Sequence, residues 1–94
     1  MPAQLQLSDK LATQRWKIKI YDNERLEPPH ATVIRGHLAW RWNLRSRRFV
    51  NREPDPRDVP SEIRDILLAQ HAELVRLWDL THPGNPVATT EDAS

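Results

Sequence analysis

The chain has 94 residues, no cysteine, two glycines, eight prolines and a formal charge of +1 at neutral pH, the profile of one small soluble domain with a single modest core. Lacking cysteine, it can form no disulfide, thiol nucleophile, Cys-ligated zinc site or iron–sulfur centre. With glycine only at Gly36 and Gly84 it has neither a GxxxxGK[ST] phosphate loop nor a GxGxxG dinucleotide turn. No apolar run is long enough for a signal peptide or a membrane span, so a cytoplasmic protein with no cofactor is expected.

Residues 1–14 show no clean period beyond Leu5, Leu7 and Leu11 and read as a flexible N-terminal tail or a short turn of helix. From Arg15 to Tyr21 the sequence alternates, with Trp16, Ile18 and Ile20 on one face and Lys17, Lys19 and Tyr21 on the other, which predicts a half-buried strand. Asp22-Asn23-Glu24-Arg25 breaks that strand, and Pro28-Pro29 delivers an extended entry to the next.

A hairpin is predicted from His30–Ile34 and His37–Leu44 joined by Arg35-Gly36, which sets Ile34 opposite His37 and His30 opposite Arg41. In that register Ala31, Val33, Leu38, Trp40, Trp42 and Leu44 share an apolar face, and His30, Thr32, His37, Arg41 and Asn43 share a polar one. Arg45–Arg48 forms a basic turn, Phe49-Val50 is a candidate fourth strand, and Pro54, Pro56 and Pro60 interrupt regular structure before a helix. Asp58 or Ser61 is positioned to cap that helix. Ile63, Ile66, Leu67, Gln70, Leu74, Leu77 and Trp78 recur at three- and four-residue steps as one stripe. Pro83, Gly84 and Pro86 end it, and an acidic tail follows.

The expected fold is therefore α+β: an antiparallel sheet of three or four strands with one long C-terminal helix packed on its apolar face. The expected limits are a tail over 1–14, a single α+β domain over 15–80 and an acidic C-terminal tail over 81–94.

The small total charge conceals a regional one. Residues 35–57 hold seven arginines (Arg35, Arg41, Arg45, Arg47, Arg48, Arg52 and Arg57) against Glu53 and Asp55, while the chain beyond is rich in carboxylates. Charge is felt over about 8–10 Å at physiological salt, so the local excess governs partner choice.

Three constellations follow. On the polar sheet face, Lys17, Lys19 and Arg41 suit an anionic phosphodiester, with His30 or Tyr21 as proton-transfer groups, although polar residues also belong on the wet side of any antiparallel sheet. The cationic run, with His37, Arg45, Arg47, Arg48 and Arg52, suits nucleic acid, an acidic partner protein, the chain's own acidic helix or simply solvent. His30, His37, His71 and His82 make no HxH or HxxxH pair, so no metal site is expected, and no GxSxG elbow supports a serine triad.

Glu27-Pro28-Pro29-His30-Ala31-Thr32-Val33, preceded by Trp16–Tyr21 and followed by Leu38–Leu44 and His71–Trp78, resembles a small bacterial family of unknown function. Its members carry Pro-Pro-His-x-His-Val after a strand ending in an aromatic, then an aromatic-rich strand and a C-terminal helix ending in Leu-x-x-x-Trp. The resemblance covers residues 15–79 and carries over Pro28, Pro29 and His30; the second family histidine is Thr32 here, leaving one imidazole where the motif presents two. It implies the toxin half of a toxin–antitoxin pair. The first functional expectation is thus a toxin-like protein acting on nucleic acid, RNA first; the alternative is a non-enzymatic interaction module for an acidic protein such as an antitoxin.

Overall fold

The computed structural model describes residues 3–21, 28–50 and 52–87. The strands are β1 (Ala3–Leu5), β2 (Trp16–Ile20), β3 (His30–Arg35), β4 (Leu38–Asn43) and β5 (Arg48–Phe49); the helices are α1 (Asp9–Thr13), α2 (Ser61–Ala69) and α3 (His71–Thr81). The strands form one antiparallel sheet in the order β1-β2-β3-β4-β5. The fold is α+β, with five strands rather than three or four. The additional edge strand, β1, comes from the segment expected to be a tail: Ala3 pairs with Ile20 and Leu5 with Ile18. Leu5 and Leu11 are too irregularly spaced to announce an element, yet both are buried. Helix α1 starts at Ser8, whose hydroxyl accepts from the Leu11 N–H, and ends where Arg15 takes a left-handed φ of 71°.

The alternation in β2 places Trp16, Ile18 and Ile20 in the core and leaves Lys17 exposed. The β3–β4 connection is Gly36-His37, not Arg35-Gly36, and the register is Val33↔Trp40, Thr32↔Arg41, Ala31↔Trp42 and His30↔Asn43. Gly36 has φ +61° while no positive φ is found at His37, the type II′ arrangement that wants glycine at the first central position. Moving the turn by one residue shifts the pairing by two, so every side chain keeps its expected face. Leu38 is the exception: it sits on the hairpin end, 38% exposed, opposite Arg35.

The expected long helix is two short ones that meet at Gln70 (φ −99°, ψ 19°). No proline or glycine marks the break. The apolar stripe runs through it, Ile63 and Leu67 from α2 and Leu74 and Trp78 from α3 all being fully buried. The N–H groups of Gln70 and Leu74 still reach back four residues, at 2.8 and 2.9 Å, so side-chain periodicity carries no sign of the kink. Neither Asp58 nor Ser61 caps α2 with its side chain; Asp58 closes a 3₁₀ turn (Pro56–Asp58), and Pro60 occupies the N-cap position before Ser61.

Helix α3 lies against β1, β2 and β3. Between the layers sits an aromatic core in which Trp16 packs on Trp40 (centroids 5.7 Å apart) and Trp42 meets Phe49 edge-on at 4.9 Å. After α3 the chain folds back over 82–87. The expected strand break at Asp22–Arg25 and the acidic stretch 88–94 lie outside the described residues.

Candidate anion-binding face of the sheet

The side of the sheet turned away from the helices is built by register. One cross-strand row reads Gln4–Lys19–Thr32–Arg41 through β1, β2, β3 and β4, and another reads Lys17–Ile34–Ala39. The strands carry Lys17, Lys19, Arg35, Arg41 and Arg48 and no Asp or Glu at all, whereas α2 and α3 carry Glu62, Asp65, Glu73 and Asp79 against Arg64 and Arg76. The domain is thereby split into a basic sheet layer and a net acidic helix layer.

Along β3 and β4 this face is hollowed into a groove of about 660 Å³. Tyr21, Thr32, Ile34, His37, Leu38, Ala39, Arg41, Val50 and Glu53 line it together with Gly36. A smaller cavity of about 220 Å³ adjoins it, lined by Pro28, His30, Arg41, Asn43 and Val50. Arg41 and Val50 belong to both, so Arg41 stands at the junction. Val50 holds its place by donating its N–H to the Arg41 carbonyl at 3.0 Å. On the core side, the Asp55 carbonyl accepts the Trp40 indole N–H at 3.1 Å.

Of the residues expected at a site, Tyr21, His37 and Arg41 line the groove, and His30 and Arg41 both line the small cavity. His30 is only 5% exposed. Its Nδ1–H donates to the Pro28 carbonyl at 2.9 Å, and its ring lies 5.5 Å from that of Trp78. The carbonyl can only accept, so Nδ1 carries the hydrogen in this bond. Tyr21 is half-buried, its carbonyl taking a 2.6 Å hydrogen bond from His82 Nε2.

The remaining cations divide. Lys17, exposed, and Lys19, half-buried, stand on the same face beside the groove without lining it. Arg45 is a structural residue: its Nε donates to the Val87 carbonyl at 2.8 Å and its Nη2 to the Pro86 carbonyl at 3.0 Å, pinning the C-terminal segment. Arg47 is exposed at a left-handed φ of 57° in the β4–β5 turn, and Arg48 and Arg52 are exposed outside both hollows. Arg57 forms an ion pair with Asp55 at 3.0 Å; the Arg57 hydrogen bond holds the Asp55 carboxyl below its ordinary range.

Ile34, Leu38, Ala39, Val50 and Glu53 line the groove without having been expected at a site. Val50 follows from continuing the alternation past Phe49; Glu53, in a proline-rich loop, has no pattern to betray it. Among the described residues no group of three or more His, Asp or Glu is placed to hold a metal ion, and no helix is long and apolar enough to cross a membrane. No family model, no curated protein and no solved structure matches the chain.

Proposed function

We propose that this chain binds RNA across the open face of its sheet, as the toxin-like member of a bacterial toxin–antitoxin pair. The observation that carries the proposal is a cationic face: Lys17, Lys19 and Arg41 share one face of strands that contain no Asp or Glu. Such a face attracts a polyanion and releases its counterions on contact. The groove beside Arg41 falls within the usual size of a small-ligand site, roughly 300–1,000 Å³. Tyr21 and His30, each on a hollow that Arg41 lines, are the candidate acid–base pair for phosphodiester cleavage.

A second function, docking of an acidic protein, is favoured by one observation. Leu38 and Val50, 38% and 54% exposed, put apolar surface into the same groove, which suits side chains better than phosphates.

The test is incubation of the purified chain with total RNA at low and physiological salt, scored for retention and for cleavage. Retention at low salt that weakens in a Lys17→Gln/Lys19→Gln/Arg41→Gln variant is expected. Each lost phosphate contact should also lower the salt slope of single-strand binding by about 0.7, so about 2 for the triple variant. Absence of retention at low salt overturns RNA binding and leaves the acidic protein. Cleavage that persists undiminished in His30→Ala and Tyr21→Phe removes both from any catalytic role.

A further inference from the structure

A further hollow, of about 420 Å³, opens at the end of the sheet between the close of α1 and the β3–β4 turn. Thr13, Arg15, Arg35 and His37 line it with Gly36 and Leu38, and no carboxylate does so among the described residues. It lies around the hairpin end from the groove. The cross-strand row Trp16–Arg35–Leu38 follows directly on the row Lys17–Ile34–Ala39, so its side chains have the opposite parity. Accordingly the Arg35 guanidinium stands over the buried Trp16 ring, 5.2 Å from its centroid. Gly36, His37 and Leu38 line both hollows and form the ridge between them.

Both arginines are set there by the backbone. Arg15 follows the C-cap of α1 at φ 71°, a position where glycine is the low-cost residue, yet the chain carries a cation there. Arg35 donates its Nε–H to the Gln14 carbonyl at 3.2 Å, tying the end of α1 to β3. Holding a helix-terminal carbonyl is a structural use of an arginine, but it employs one of five N–H groups; the two Nη atoms carry the other four. The Nε bond and the Trp16 ring fix the guanidinium plane, so little side-chain freedom is lost when a ligand binds it. Among the described residues no carboxylate is paired with either arginine.

Resting on the RNA-binding function above, we infer that this hollow is a second phosphodiester site, filled by a single strand of RNA that crosses the open face along Lys19 and Lys17 and then rounds the hairpin end. The Arg35 Nη groups donate to the phosphate oxygens and Arg15 faces the same charge. Leu38, apolar and shared by both hollows, is the surface for the base between them. A duplex cannot take this path. The two sides meet at the two-residue turn Gly36-His37, which demands a reversal within a few nucleotides, whereas double-stranded DNA is stiff over about 150 base pairs. The arrangement therefore selects unpaired strands.

The test measures binding of one labelled oligoribonucleotide to the full chain by fluorescence polarisation over a range of salt, the RNA being either single-stranded or annealed to its complement. Arg15→Gly/Arg35→Gln should weaken single-strand binding at least about tenfold, the usual worth of charge-assisted hydrogen bonds, and lower its salt slope by about 1.4, at about 0.7 per contact. Duplex binding should stay as it was. Arg64→Gln/Arg76→Gln, which takes the same charge from the helix layer, should leave single-strand binding unchanged. Arg15→Gly alone suits the left-handed backbone, so its thermal midpoint should not fall while its slope drops by about 0.7; it carries the test if Arg35→Gln fails to fold. Undiminished single-strand binding by the Arg15 and Arg35 variants overturns the second site and leaves RNA binding by the open face intact. An equal loss for the duplex, or in the Arg64 and Arg76 control, reveals only a general loss of charge and equally overturns it. Failure of the parent chain to bind either form at low salt removes both the site and the function it rests on.

Discussion

The indole of Trp78 lies against the imidazole of His82, ring centroids 3.9 Å apart and planes inclined by 29°. Trp78 is fully buried at the end of α3, and its Nε1–H donates to the Asn85 carbonyl at 2.7 Å. His82 in turn donates from Nε2 to the Tyr21 carbonyl. The last turn of the helix thus ties the end of β2 to the returning C-terminal segment, behind the His30 that lines the small cavity.

Trp78→Ala should cost about 3–5 kcal/mol, the range for emptying a large buried aromatic site. For a domain whose whole stability is about 5–15 kcal/mol that is a large fraction. Trp78→Phe keeps most of the packing and loses only the Nε1–H bond to the Asn85 carbonyl, so its cost should be smaller. Urea unfolding followed by far-UV circular dichroism measures both, and a Trp78→Ala midpoint equal to the wild type's contradicts the packing described.

Arg45→Ala should loosen the C-terminal segment without disturbing the sheet. The Val87 N–H donates to Asp79 Oδ1 at 2.9 Å while its carbonyl is held by Arg45. Removing the guanidinium should speed hydrogen exchange at Val87 more than at Val33. Lysine should not restore protection, since it lacks the planar fork that spans two carbonyls.

Stability should fall on acidification through the ordinary imidazole range, and His71 should account for part of the fall. Burial, and secondarily the charge of Arg47, push its pKa down. The unfolded chain then binds a proton that the folded chain resists, so stability is full above the unfolded value and declines as the pH drops through it toward the lowered one. The His71 Nδ1 is buried without a hydrogen-bond partner among the described residues, consistent with a neutral ring. Denaturant midpoints from pH 8 to pH 5 should lose part of this slope in His71→Gln. An unchanged slope assigns the acid sensitivity to other groups.

Gly36→Ala should destabilise by about 1–2 kcal/mol, the cost of a side chain in left-handed backbone. A Cβ there would meet nothing within 4 Å, so the effect is conformational and not steric. Gly36→Asn should cost less, because asparagine tolerates that region. Equal thermal midpoints for Gly36→Ala and the parent contradict the turn type.

What the residues announced and what they concealed have separate physical origins. Strand faces were legible because the period of two is written in side-chain polarity, from Trp16, Ile18 and Ile20 through Ala31 and Val33 to Trp40 and Trp42. The turn was misplaced because Gly36 was read as the second central residue, whereas a single positive φ puts glycine first. The short helical turn offered for the first 14 residues is α1, whereas strand β1 was hidden because three-residue pairing needs no periodicity. The kink at Gln70 involves backbone angles that neither proline nor glycine advertises. At the candidate site, Arg41, Tyr21 and His30 were named from polarity and parity. Arg45's structural role was not legible, because two carbonyls at positions 86 and 87 have no sequence signature.

The segregation of charge between the layers has a kinetic consequence. With cations on the strands and carboxylates concentrated on α2 and α3, the described sheet and helix layers together form an electric dipole directed from one layer to the other. In the field of a polyanion that dipole experiences a torque, which turns the sheet forward and the helices away before any contact forms. For a polyanionic partner such as the one proposed, the fraction of collisions that begin with the sheet forward should rise as ionic strength falls.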